Sequence, residues 1–509
     1  MRTQNSIKNS LSGLLQNIVV ILIGFIAQKV FLSTLGEEYL GLNGLFNNII
    51  SMLGITELGI GSAIIYNLYK PLAENNIEEI KSLMNFYKNA YRIIATILIV
   101  LGILIIPFLP FIVGETTINH IAIFFILFLI DVVFSYLLTY KRSILQADQK
   151  NYYINYIHVA AILLMNIFQI IVLLLTKNYY LYLIIKIVFR LLENILINGI
   201  VTKLYPYIKD KEVKKIDKNI INDIKFKVKG IIFHKISSFF VSGTDNILIS
   251  YFFGVSVVGL YYSYFLVINS VNTLFSQIIH SITSSVGNLL VVENIDKKYE
   301  IYKKVKFLNS WLAIFSATAI FVIMDSFIKI WLGEKYLLSI YVLLVLVLNY
   351  YFQSIKSTYY VFKDAAGIYY EDRYIPILES VANIVFSIVF AKLFGLVGIF
   401  IGTISSQMIL HLYDFYQYAY KKIFNKGYKE YIGEFLKYFI IFIIILVITY
   451  LLSIVITLNN IYLNFIKNIL IAGIIPNLIL MIIFYRSIEF KYYLEMIKNI
   501  LKRNKGSKK

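Results

Sequence analysis

YYLYLIIKIVFRLLENILINGIVTKL, residues Tyr179–Leu204, is the stretch on which the reading turns. It is long enough and apolar enough to cross a bilayer, yet Lys186, Arg190 and Glu193 lie in its middle. At about 3.6 residues per turn, these three share one helical face. A charge at mid-bilayer costs about 3 kcal/mol even on lenient insertion scales. Such a face turns toward a protein interior or a water-filled cavity. Two arrangements satisfy it: a closed Arg190–Glu193 ion pair that packs two helices, or a cationic lining for something that crosses the membrane.

The rest of the chain has the same character. Of 509 residues, 59% are hydrophobic, 16% aromatic and only 15% charged, and the mean hydropathy is +0.74. A soluble domain is nearer about 45–50% apolar and about 25% charged. The composition predicts an all-α, polytopic membrane protein. A net charge of +19 in a soluble chain would point to nucleic acid. Here the basic residues sit in short runs between apolar spans, so the partner they fit is the anionic surface of membrane lipids, not nucleic acid. The absence of cysteine excludes disulfides, thiolate metal sites and cysteine nucleophiles. Residues 1–10 are polar and basic and lead into a full-length span, so no removable signal peptide is expected.

Fourteen apolar stretches of about 20 residues or more read as spans, among them Leu11–Leu35, Gly41–Leu68, Ile118–Tyr140, Tyr153–Thr176, Tyr179–Leu204, Gly230–Phe253 and Val258–Val292. Loops after even-numbered spans carry the lysine and arginine, for example Lys141, Arg142 and Lys150, and Lys297, Lys298, Lys303, Lys304 and Lys306. Odd-side loops such as Gly36-Glu37-Glu38-Tyr39 and Gly114-Glu115 are short and nearly bare of them. The positive-inside rule then puts both termini in the cytoplasm. Two stretches read as lying on the membrane: the lysine- and isoleucine-bearing linker 205–229 and the basic amphipathic tail 488–509.

The linker divides a repeat. Leu35-Gly36-Glu37-Glu38-Tyr39-Leu40-Gly41-Leu42 joins spans one and two, and Phe253-Gly254-Val255-Ser256-Val257-Val258-Gly259-Leu260 joins spans seven and eight. Both have Gly, four residues, then Gly-Leu, after the first span of a six-span block. The expected organisation is a six-helix lobe over 1–204, the linker 205–229, a second lobe over 230–425, two further spans within 426–487 and the tail 488–509.

At this point the chain resembles a known family. Phe31-Leu32-Ser33-Thr34-Leu35-Gly36-Glu37-Glu38-Tyr39-Leu40-Gly41-Leu42-Asn43-Gly44-Leu45-Phe46, with Thr56-Glu57-Leu58-Gly59-Ile60-Gly61 and Tyr69-Lys70-Pro71-Leu72-Ala73, resembles the opening of Wzx-type polysaccharide flippases of the multidrug/oligosaccharidyl-lipid/polysaccharide exporter superfamily. Leu145-Gln146-Ala147-Asp148-Gln149-Lys150, Thr244-Asp245-Asn246-Ile247-Leu248-Ile249, Ile330-Trp331-Leu332-Gly333-Glu334-Lys335-Tyr336 and Gly395-Leu396-Val397-Gly398 with Gly402-Thr403 extend the resemblance to span twelve. It implies a bacterial plasma-membrane transporter of undecaprenyl-diphosphate-linked oligosaccharide for capsule or exopolysaccharide. It also implies two rocking lobes, a coupling ion such as H+ or Na+, and polymerase and glycosyltransferase partners. The family offers no universal motif for transfer, only a cation-rich central cavity.

A diphosphate leaving water needs replacement donors and positive charge. Arg190 and Lys186, deep in span six, are the leading candidates. Lys29, six residues from the end of span one, and Lys235, near the start of span seven, fit snorkelling to the interface as well as substrate contact. Glu57, Asp131 and Asp245 are membrane-embedded carboxylates suited to ion coupling, or, for the two aspartates, to ion pairs with Lys29 or Lys186; Glu193 joins them beside Arg190. Glu57 fits a structural role equally, in the glycine-rich segment 54–61. His158, His280 and His411 lack metal-ligand spacing and read as core residues. No nucleotide or cofactor motif appears, and no enzyme activity is expected. The rival readings are a multidrug exporter of the same superfamily, a membrane-embedded polymerase and an uncoupled scramblase.

Overall fold

The computed structural model describes residues 2–57, 60–210, 214, 216, 221, 243–368, 371–456 and 458–506. Among them every regular element is helical. Eleven helices are long and apolar enough to cross a membrane, which makes this a polytopic all-α membrane protein. The other three expected spans fall short for separate reasons. Span six, α8 (Tyr179–Leu204) in the structure, carries too many charges. Span seven lies partly outside the described residues, and only its end, 243–253, is seen as helix. Span two departs from expectation: it is α2 (Glu37–Leu53), a 3-10 turn at Gly54–Glu57, and α3 (Ile60–Glu74). The glycine-rich sequence there lowers helix propensity by about 1 kcal/mol per glycine.

Two compact units form: Met1–Ser263 with Pro376–Ala391, and Tyr264–Ile375 with Lys392–Lys509. In the first, α1 (Arg2–Leu35), α6 (Ile121–Ala147), α7 (Asn151–Thr176) and α8 pack as neighbours, α1 on α7, α7 on α8 and α8 on α6. Local chemistry sets the turns. Lys177 ends α7 with φ +52°, and the Asn178 side chain caps α8 by accepting from Leu181 N at 3.2 Å. Between α6 and α7, Lys150 pairs with Asp148 at 2.6 Å, while Asn9 of α1 donates to Gln149 O at 3.0 Å. Tyr179, at the start of α8, is enclosed by Phe31, Tyr39 and Phe124, with ring centroids 5.8, 5.1 and 4.8 Å away.

The two repeated turns meet inside this unit. Gly36 and Gly254 adopt the same left-handed backbone, φ +87° and +85°, which favours glycine. Beyond them, a Cβ on Gly41 would stand 1.9 Å from Val255 O, and one on Gly259 would stand 2.2 Å from Glu37 O. The register that takes Gly36 to Gly254 also takes Gly41 to Gly259 and Glu37 to Val255. The contact is therefore reciprocal, each glycine lying against the carbonyl at the start of the other helix. α2 here crosses α9 (Val255–His280), and Gly44 lies under the Tyr262 ring.

The second unit is organised around α11 (Ile295–Trp331), which follows α10 (Thr283–Val292) and packs on α12 (Ile340–Ala365). Two further helices, α15 (Tyr428–Val455) and α16 (Ile461–Phe484), follow α13 (Ile375–Phe394) and α14 (Leu396–Asp414) and also pack on α11. Polar contacts fix them there: Lys306 to Glu434 at 2.6 Å, Trp311 Nε1 donating to Asn477 Oδ1 at 2.8 Å, and Asn468 Nδ2 donating to Ser326 Oγ at 3.0 Å. The tail helix α17 (Ile488–Gly506) stacks Phe490 on Trp311.

Candidate functional site

The α8 wheel decides where its charges point. Leu181, Ile184, Val188, Leu192, Ile195 and Leu196 are exposed, whereas Tyr179, Leu183, Glu193, Asn194, Ile197 and Val201 are buried. At about 100° per residue, Lys186 and Arg190 fall in the middle of the buried stripe. Arg190 lies eleven residues into the helix, about 16 Å along its axis at 1.5 Å per residue. Asp131, ten residues into α6, comes to the same level from the neighbouring helix. Its Oδ1 accepts from Arg190 Nε at 3.1 Å, and its Oδ2 lies 3.4 Å from Lys186 Nζ. Lys186 Nζ also stands 4.4 Å from the centroid of the Phe128 ring.

A second carboxylate extends the cluster. Glu193 lies 3.7 Å from Arg190 Nη1, 2.9 Å from Arg142 Nη2 and 3.1 Å from His158 Nδ1. Arg142 also donates to Asn194 Oδ1 at 3.0 Å, and Asn194 donates in turn to Phe134 O at 3.0 Å. Three basic side chains thus face two carboxylates. Donors outnumber acceptors, and Arg142 Nε is buried without a hydrogen-bond partner. The side chains of Asp131 and Glu193 are each only 4% exposed, whereas Lys186 and Arg190 keep 20% and 28%.

The expected residues do not all converge. The Arg190–Glu193 pair exists, but as one edge of a larger network, not as a closed pair. Asp131 takes Lys186 and Arg190 as partners. Lys29 is exposed and joins no ion pair among the described residues; its neighbour Gln28 donates to Ser263 Oγ at 2.8 Å. Glu57 sits in the 3-10 turn, accepting from the Tyr91 hydroxyl at 3.1 Å, with Gly61 leaving room beside it. Asp245 is buried in the helical run 243–253, next to Thr244, which donates to Asn383 Oδ1 at 3.2 Å. Lys235 lies outside the described residues. Of the three histidines read as core, His411 is buried against Tyr359 and Phe415, with neither ring nitrogen hydrogen-bonded, whereas His280 is exposed and His158 joins Glu193.

Arg142 and His158 were not among the expected site residues. Arg142 reads as loop charge from hydropathy, but α6 runs to Ala147 and carries it as helix. A signal was present: Asp131 and Arg142 are eleven residues apart, which is about three helical turns and hence one face. In the second unit, the buried Lys306, Lys356 and Lys363 reach Glu434, Gln407 and the pair Asp372 and Asp414.

No family model matches the sequence, and no curated protein matches it. Solved structures do. The lipid II flippase MurJ in an inward closed conformation superposes with a TM-score of 0.68 at 17% identity, over 94% of this chain and 99% of that one. An inward-facing multidrug resistance MATE family transporter of the MOP superfamily gives 0.61 at 14%, over 78% and 93%. A point mutant of the Vibrio cholerae MATE transporter VcmN gives 0.58 at 13%, over 84% and 99%. The chain has the fold of these flippase and transporter structures.

Proposed function

We propose that this chain is a transporter that flips undecaprenyl-diphosphate-linked oligosaccharide repeat units across the bacterial cytoplasmic membrane, by alternating access, for capsule or exopolysaccharide synthesis. The observation that carries this reading is the cluster on α6, α7 and α8: three basic side chains against two carboxylates, with Asp131, Lys186 and Arg190 at mid-helix depth on the buried face. Lys186 and Arg190 would take the diphosphate, because a phosphate leaving water needs charged donors to replace its hydration. Lys29 and Lys235 would take part nearer the membrane surfaces. Asp131, Glu193, Glu57 and Asp245 are the carboxylates available for coupling to H+ or Na+. The fold shared with a lipid II flippase supports the reading. The fold shared with multidrug transporters favours a second reading, export of small organic cations, but an inward face rich in lysine and arginine repels such cargo.

Complementation of a flippase-null strain tests the proposal. The wild-type chain restores polymer export, and Arg190→Ala and Lys186→Ala reduce it at least tenfold at equal membrane abundance. Full rescue by both variants would refute the assignment. Rescue of drug resistance without polymer export would favour the second reading.

A further inference from the structure

Within the cluster, the two carboxylates are held very differently. Glu193 is bound at 2.9 Å by Arg142 and at 3.1 Å by His158, and Arg142 is itself anchored through Asn194 to Phe134 O. Asp131 has one hydrogen bond, from Arg190 at 3.1 Å, and one longer contact to Lys186 at 3.4 Å. Charge-assisted N–H···O bonds are normally about 2.7–2.9 Å; Glu193 has one such contact, at 2.9 Å, and Asp131 has none, so Asp131 is the less tightly held of the two. Its two oxygens bridge Lys186 and Arg190. A phosphate arriving at Lys186 and Arg190 needs those same donors.

We infer that Asp131 is an exchangeable internal anion, which occupies Lys186 and Arg190 when the site is empty and is displaced by the diphosphate group of the ligand. The inference rests on the proposed function. In it, Glu193, Arg142, His158 and Asn194 are the fixed frame, and Asp131 is a positioning residue that sets how tightly the ligand is held and how readily it leaves. An unpaired cation pair at this depth is costly. When Asp131 returns, it relieves that cost and so favours release. Without it, the ligand itself becomes the best available counter-ion, and it stays.

The test measures binding of undecaprenyl diphosphate, and separately of inorganic pyrophosphate, to the purified full chain in nanodiscs, alongside polymer export in cells. Asp131→Asn should bind undecaprenyl diphosphate about tenfold more tightly and export about tenfold less. Asp131→Glu should return both readouts toward wild type, which a merely structural role would not require. Asp131→Ser serves as a second neutral variant in case Asp131→Asn does not fold. Tightening for pyrophosphate as well assigns the effect to the headgroup, and tightening for the lipid alone assigns it to a diphosphate presented from the membrane; either supports the exchange. If Lys186→Ala and Arg190→Ala weaken binding but neither neutral Asp131 variant tightens it, the inference fails while the function stands. If the cation variants bind as wild type does, the functional reading itself fails and takes the inference with it.

Discussion

Adding one methyl group at Gly41 or Gly259 tests the reciprocal contact directly. The new Cβ of Gly41→Ala would lie 1.9 Å from Val255 O, and that of Gly259→Ala 2.2 Å from Glu37 O, where real Cβ atoms essentially never come below 3.0 Å. The obstacle is backbone carbonyl on both sides, so no side chain can swing away. The helices must separate by about 1 Å. Overpacking of this kind costs about 1–3 kcal/mol. At 1.4 kcal/mol per tenfold, the closed contact loses roughly five- to 150-fold in population against any state in which the turns are apart. Because the chain has no cysteine, a single Asn43→Cys beside the contact reports on it without background. Its reaction rate with a maleimide in the purified protein should rise at least fivefold in either alanine variant. Gly24→Ala, at a glycine with nothing within 4 Å of its Cβ, should leave the rate unchanged. If Gly41→Ala and Gly259→Ala label at the wild-type rate with unmoved thermal midpoints, the close approach is not a constraint and the reasoning is wrong.

Two further outcomes follow from single contacts. Lys306→Ala leaves Glu434 half-buried with only neutral partners, and should lower stability in detergent by about 2 kcal/mol, given that breaking fully buried pairs costs about 3–5 kcal/mol and Glu434 keeps 23% exposure; the double variant Lys306→Met, Glu434→Leu should recover most of the loss in thermal unfolding. Asn178→Ala removes the cap of α8 and should cost about 1 kcal/mol, while Asn178→Asp should cost less than half of that in the same measurement.

Much of the fold was legible because hydropathy and helical period are local properties of a chain. Apolar length found eleven of the fourteen expected spans as long apolar helices among the described residues, and it also located α8. The spacing of Lys186, Arg190 and Glu193 placed them on one face before any partner was known. The Gly-x4-Gly-Leu repeat marked two turns that take the same positive-φ backbone. What escaped was whatever depends on two distant segments meeting. The sequence offers Asp131 either Lys29 or Lys186; it takes Lys186, and Arg190 as well, because α6 packs beside α8 at matching depth, more than fifty residues away in sequence. Arg142 became part of the site because α6 continues beyond the apolar run that marks it. The break after Leu53 falls in a glycine-rich segment, where Glu57 accepts from the Tyr91 hydroxyl of a distant helix. Sequence by itself determined that Lys186, Arg190 and Glu193 share one face of one helix, and at what depth along it. Tertiary structure alone decided which of them neutralise one another and which keep donors to spare, because the energy of a buried charge is set by the groups around it in space and not by its neighbours along the chain.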